Sequence, residues 1–214
     1  MIVFGTIDIG PHIFSEVPDP CQGRPGCHPP ARAAGLSGYC QPALSVELRI
    51  REARREDVGL IYGWIVELAE YERARDQVRG TPELLEDALF GPRPSAEALI
   101  AETRTSETDW QPAGFALFHS TFSTWECRPG IWLEDLYIPP AGRRAGVGGA
   151  LLAHLAMIAV DRGLSRVEWA ALDWNTPALD FYVKIGATRL DEWKVHRLDR
   201  EALAMVAASA ESPA

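Results

Sequence analysis

The stretch Trp132-Leu133-Glu134-Asp135-Leu136-Tyr137-Ile138, followed by Arg143-Arg144-Ala145-Gly146-Val147-Gly148-Gly149 and a long apolar run, decides how this 214-residue chain folds. The first part reads as a half-buried strand. It delivers the chain to a loop in which Gly146 and Gly148 carry no Cβ, so the backbone N–H groups can close on an anion. The helix that starts at once adds the unpaired N–H groups of its first turn and the positive end of its dipole, both of which favour phosphate. Arg143 supplies a fixed positive charge. By themselves the glycines fit a plain strand-to-helix turn equally well. Two other phosphate motifs fit poorly: a dinucleotide fingerprint needs a third glycine where Leu151 stands, and no Walker lysine follows.

Outward from this segment, hydrophobic spacing supplies the other elements. Val46, Leu48 and Ile50 alternate with Glu47, Arg49 and Arg51 as in a half-buried strand. Val58, Ile61, Ile65, Leu68 and Ala69 recur at helical spacing between Asp57 and Tyr71. Thr81-Pro82-Glu83-Leu84 opens a shorter helix with an N-cap and a proline in its first turn. Segments 96–103, 113–123 and 131–138 read as a strand meander. A helix apolar nearly all round runs from Val147 to Arg162 and is closed by Gly163. Then come a strand over 166–172, a helix over 176–184 with Pro177 at its first position, and a last strand over 193–198. The order βααβββαβαβ predicts an α+β domain with a mixed central sheet flanked by helices. Residues 45–208 form this domain. Residues 1–44, dense in Pro, Gly and small residues, are expected to be a disordered extension, and 209–214 a flexible tail.

Composition narrows the function. A net charge of −9 and 47% hydrophobic residues describe a soluble globular chain without the clustered basic surface that nucleic acid requires. An acidic protein suits a cationic substrate. The N-terminus has no basic region before its apolar residues and is broken by Gly5, Gly10 and Pro11, so neither a signal peptide nor a spanning helix is expected; a cytoplasmic location follows. Cys21, Cys27, Cys40 and Cys127 lack the paired spacing of a zinc site, even with His28 beside Cys27, and no metal is assigned.

Three further segments sharpen the reading: Glu67-Leu68-Ala69-Glu70-Tyr71-Glu72, Leu133-Glu134-Asp135, and Asn175-Thr176-Pro177-Ala178-Leu179-Asp180-Phe181-Tyr182-Val183-Lys184-Ile185-Gly186-Ala187. With R-x-x-G-x-G after a strand, they make residues 46–200 resemble the GNAT superfamily of N-acetyltransferases. Within it they resemble the spermidine/spermine branch, which includes diamine and thialysine acetyltransferases. The resemblance implies the α/β GNAT fold, acetyl-CoA as co-substrate, direct transfer of acetyl to a small cationic amine in a ternary complex without an acyl-enzyme, and a homodimer. The chain departs from the pattern in three places. Arg144 stands where relatives often carry glycine, Pro139-Pro140 stiffens the approach to the loop, and the segment between Ala187 and Trp193 is short.

By the same resemblance, Leu136, Tyr137 and Ile138 offer backbone groups to the pantetheine arm, with the Leu136 N–H polarising the thioester carbonyl. Arg143, Arg144, Ala145, Gly146, Val147, Gly148 and Gly149 hold the pyrophosphate. Asn175, Thr176, Pro177 and Ala178 contact pantetheine or adenosine, and Lys184 pairs with a CoA phosphate. Tyr182 takes the place of the acid that protonates the departing thiolate. The acceptor's proton needs a carboxylate, since an alkyl ammonium loses it only near pH 10. Glu134 is the expected base, directly or through water: on a regular strand it projects opposite Asp135 and lies among Trp132, Leu136 and Ile138, partly desolvated. Tyr71, Glu72, Glu134, Asp135, Glu168, Trp169, Ala170 and Glu192 are the expected acceptor contacts. The reading is an N-acetyltransferase for a diamine or polyamine-like amine. Its alternatives are a thialysine or lysine-like acceptor, and an acyl-CoA-binding module without turnover.

Overall fold

The computed structural model describes residues 2–3, 46–105, 108–143 and 145–210. The chain divides into two compact units, Met1–Phe181 and Tyr182–Ala214.

The first unit is built on one mixed sheet. Its strands are β1 (Ile2–Val3), β2 (Glu47–Glu52), β3 (Glu97–Arg104), β4 (Gln111–Ser123), β5 (Arg128–Tyr137) and β6 (Val167–Glu168), and its helices are α1 (Val58–Tyr71), α2 (Pro82–Phe90) and α3 (Val147–Asp161). Strands β2 to β5 form the expected antiparallel meander, while β1 and β6 both run parallel to β5. Helix α2 starts as its sequence dictates: the Thr81 side chain accepts a hydrogen bond from the Leu84 N–H at 3.3 Å, and Pro82 fills the first turn.

Both faces of the sheet are covered. Ile61, Trp64 and Leu68 of α1 bury themselves against Ala98, Ile100, Phe115, Leu117 and Tyr137, with Trp64 stacked on Phe115 at 5.8 Å between ring centres. The alternate strand residues Leu99, Ala101, Ala116, Phe118, Leu133 and Leu136 point the other way and are equally buried. Helix α3, with Val147, Leu151, Leu152, Leu155 and Ala159 inside, packs on the sheet through β2, β3, β4 and β5. Beside the core, the buried carboxylates of Asp57 and Glu102 are neutralised by Arg51, which reaches them at 2.7 and 3.0 Å, with Arg49 on Glu102 at 2.7 Å.

Four features differ from the sequence reading. Ile2 and Val3, placed within the disordered extension, pair with Leu136 and Tyr137; the rest of 1–45 lies outside the described residues. The strand expected over 166–172 is only Val167–Glu168, because β5 and β6 stay paired at Ile131 and Trp132 alone. No strand forms over 193–198. A strand needs a hydrogen-bonding neighbour whatever its alternation, and in the second unit these residues are exposed coil leading to a helix absent from the expectation, α5 (Arg200–Ala210). That helix passes the boundary set at 208. Helix α4 (Thr176–Lys184) crosses from the first unit into the second, where Gly186, at φ 86°, stops it.

Candidate active site

The site begins where β5 loses its neighbour. Beyond Trp132, β6 no longer pairs with it, and the outer backbone edge at Leu136 and Tyr137 meets only the two residues of β1 among the described strands. The chain then turns through Pro140–Gly142 into the glycine loop. Gly142 packs so tightly that a Cβ there would lie 2.8 Å from the carbonyl oxygen of Ala113. Gly146 caps α3 in the left-handed conformation, at φ 74°, with no side chain bonded to the helix N-terminus. The first-turn N–H groups of Val147, Gly148 and Gly149 thus open a fifteen-residue helix that buries Val147 and Gly148, an arrangement suited to phosphate. Arg143 stands beside it, donating from Nε to the carbonyl of Ile138 at 3.1 Å and lying 5.8 Å over the ring of Tyr71. Arg144 lies outside the described residues.

Tyr71 and Glu72 are set by the way α1 stops. Arg73 adopts the left-handed conformation at φ 59°, its N–H bonds to the carbonyl of Glu70 at 3.0 Å, and Ala74 N–H bonds to that of Ala69 at 2.8 Å. This is the double-bonded helix stop that glycine usually makes; in an L-residue it costs about 1 kcal/mol. Glu72 is left half-buried, with Oε1 buried and without a hydrogen-bond partner. Desolvation, reinforced by the charge of Asp135, pushes its carboxyl up to about 7. Desolvation also raises Asp135. The ring of Tyr71, next to Glu72 in the chain, meets that of Trp174 at 5.7 Å, and both rings are exposed. Trp174 was not among the sequence candidates. Its only signal was its place immediately before Asn175.

The structure corrects the environment expected for Glu134. A bulge in the β4–β5 ladder pairs Leu117 with Asp135 and Phe118 with Leu133, leaving Glu134 as the extra residue. Strict alternation fails there, and the Glu134 side chain is 51% exposed rather than desolvated. It accepts a hydrogen bond from Trp132 Nε1 at 2.8 Å and lies 3.9 Å from His119 Nε2. Asp135 instead shares the α1 face of the sheet with its partner Leu117.

Other candidates distribute unevenly. Asn175 and Ala178 are buried, Thr176 and Pro177 exposed, and Ala145 is exposed in the loop. Glu168 is held by Arg166 at 2.6 Å, which neutralises the charge expected to select the acceptor. Trp169 and Ala170 are half-buried. In the second unit, Tyr182 is buried, and that desolvation raises its phenol well above the ordinary value. Lys184 and Glu192 of the same unit are exposed. Cys127 is an exposed free thiol; the other three cysteines lie outside the described residues. No helix among the described residues is long and apolar enough to cross a membrane.

A glycine loop at the end of a strand, leading into a helix N-terminus without a side-chain cap and with desolvated carboxylates nearby, suits a phosphate-bearing ligand. Residues 61–187 match the model of the acetyltransferase (GNAT) family, and the chain belongs to that family. It is 39% identical over 160 residues to a thialysine N-epsilon-acetyltransferase of Bos taurus, covering 72% of this chain and 94% of that one. It is 30% identical over 161 residues to a spermidine/spermine N(1)-acetyltransferase-like protein of Homo sapiens, covering 72% of this chain and 23% of that longer one. The fold matches the structure of an integron cassette protein of V. cholerae with a TM-score of 0.60 at 23% identity, over 75% of this chain and 97% of that one. The protein is an acetyltransferase enzyme, with its sequence likeness in the polyamine and thialysine branch.

Proposed function

We propose that this enzyme moves acetyl from acetyl-CoA to a primary amine of a small acceptor that carries a second cationic group, a diamine or a lysine-like amine such as thialysine. The observation that carries this reading is the buried, unpartnered Oε1 of Glu72 beside Asp135. Burial beside a second desolvated carboxylate penalises the charge of Glu72; an ammonium relieves that penalty, while a neutral competitor leaves it unmet. The likeness to a thialysine acetyltransferase supports the lysine-like acceptor, and the likeness to a spermidine/spermine relative supports the polyamine.

The residues present suit acetyl-CoA. Gly146 and the first turn of α3 would hold the pyrophosphate, with Arg143 and Arg144 adding charge, and the edge of Leu136–Ile138 would receive the pantetheine arm. When bound, acetyl-CoA supplies an acyl carbon activated by its thioester. Glu72 and Asp135 bind the remote cation of the acceptor. Glu134, exposed on its bulge, takes the proton of the attacking nitrogen through water, and the Leu136 N–H steadies the charge that develops on the carbonyl oxygen. The nitrogen–carbon bond forms as the carbon–sulfur bond breaks, and Tyr182 gives the thiolate its proton. No residue carries the acetyl group, so Cys127 has no covalent role. Exposed Val195, Leu198, Leu203 and Met205 in the second unit suit burial against a second copy, which supports a homodimer. Steady-state kinetics with both substrates varied test this scheme: intersecting lines are expected, and parallel lines would point to an acyl-enzyme instead.

A further inference from the structure

We infer that Glu67 and Tyr137 form a positioning pair that fixes the span between the acceptor's remote cation and the thioester, and so sets the acceptor length this enzyme prefers; the inference rests on the acetyl-transfer reading above. Neither side chain has a part in the chemistry. Tyr137 donates its hydroxyl hydrogen to Glu67 Oε2 at 2.8 Å, joining the end of β5 to α1. The phenol is buried with its residue 3% exposed, and burial, with the Glu67 contact, pushes it up to about 12, so it stays a donor across the working pH range.

The pair matters because of what each partner precedes or follows in the chain. Tyr137 adjoins Leu136, whose backbone edge is the proposed seat of the thioester. Glu67 lies one turn before Tyr71 on the same face of α1, and the strained stop at Arg73 fixes Glu72 directly after that face. One directional bond therefore joins the two ends of the acceptor's path. The apolar contacts of Ile61, Trp64 and Leu68, with Trp64 stacked on Phe115, hold α1 to the sheet, and the Tyr137–Glu67 bond adds a directional tie near its C-terminal end. A second tie acts at the next residue, where Arg143 holds the carbonyl of Ile138 and lies over Tyr71. A shift of α1 by about 1 Å moves Glu72 relative to the thioester, and misplacement on that scale costs on the order of 10²-fold in rate.

The test compares the kcat/KM of wild type, Glu67→Ala and Glu67→Gln for a series of α,ω-diamines and α,ω-diamino acids of increasing chain length, with acetyl-CoA affinity measured by calorimetry. The wild type is expected to show one preferred length. Glu67→Ala should lower kcat for that length by about tenfold or more and flatten or shift the profile, with acetyl-CoA Kd changed by no more than about twofold. Glu67→Gln keeps an acceptor oxygen for Tyr137 and should retain the wild-type maximum. If Glu67→Ala does not fold, Tyr137→Phe removes the same bond and its length profile decides. A common loss at every length, with the maximum unmoved, shows a purely structural bond and overturns the inference. A wild type that acetylates all lengths equally also overturns it, while leaving acetyl transfer standing. No thiol release by the wild type with any acceptor overturns both.

Discussion

The carboxylates of Glu72, at the end of α1, and Asp135, on β5, repel one another, and this adds to desolvation in holding a proton on Glu72 up to about pH 7. A carboxyl whose folded pKa lies above its unfolded value near 4.5 keeps its full stabilising contribution below that value. It loses the contribution as pH rises through about 7. The melting temperature of the free enzyme should therefore fall between pH 5 and pH 8 by more in wild type than in Glu72→Gln. Equal falls would show that Glu72 is solvated. With a dicationic acceptor, Glu72→Gln should raise KM by about tenfold and leave kcat within about threefold, since the charge contact is made equally before and during reaction.

Glu134→Gln should behave differently in kind. The exposed carboxylate acts on a proton that leaves only as nitrogen attacks, so turnover should fall by about 10²-fold with little change in KM. Raising the pH supplies free amine and should recover part of the loss in Glu134→Gln but none of the binding defect in Glu72→Gln. A matching rise in KM for both variants, with unaltered pH profiles, would remove Glu134 from the role of base.

Replacing Tyr182 with Phe should lower kcat by about 10²-fold or more while acetyl-CoA binds nearly as before, because the hydroxyl is needed when charge reaches sulfur. Its burial means that the same change also removes a buried polar group, so circular dichroism should accompany the kinetics. Unchanged turnover in a folded Tyr182→Phe variant would make the tyrosine a packing residue.

Deleting residues 1–44 should leave the melting temperature within a few degrees, since α1, α2 and strands β3 to β5 bury Ile61, Trp64, Leu68, Leu89, Ile100, Phe115 and Tyr137 in one cluster. The deletion should also tighten acetyl-CoA binding. The backbone edge of Leu136 and Tyr137 cannot serve β1 and the pantetheine arm at once. A large loss of stability would show that the extension belongs to the core, and weaker acetyl-CoA binding would show that β1 supports the site.

The sequence revealed most where structure is local. Thr81-Pro82 opening α2, Gly146 before α3 and the alternation of the meander each act through neighbouring residues, and each element formed within a few positions of its expected bounds. It revealed less where the outcome depends on distant partners. The bulge at Glu134 arises from pairing with β4 and reverses the burial that alternation predicts for Glu134 and Asp135. Neutralisation of Glu168 by Arg166 depends on side-chain reach, and the missing strand over 193–198 on a neighbour that strand propensity cannot supply. The left-handed stop at Arg73, which sets Glu72, had no glycine to announce it. Tyr71 and Glu72 were nonetheless found, through the resemblance rather than through their spacing.

The central claim, acetyl transfer to a small amine bearing a second cation, is met most directly by thiol release from acetyl-CoA across diamines, polyamines, thialysine, lysine, monoamines and peptides. The account predicts rapid release with diamines or thialysine, and kcat/KM at least about 10²-fold lower for a monoamine of equal length, which leaves the buried Oε1 of Glu72 unmet. Equal rates for monoamine and diamine would contradict the acceptor site, and no release with any amine would leave a protein that binds acyl-CoA without turning it over.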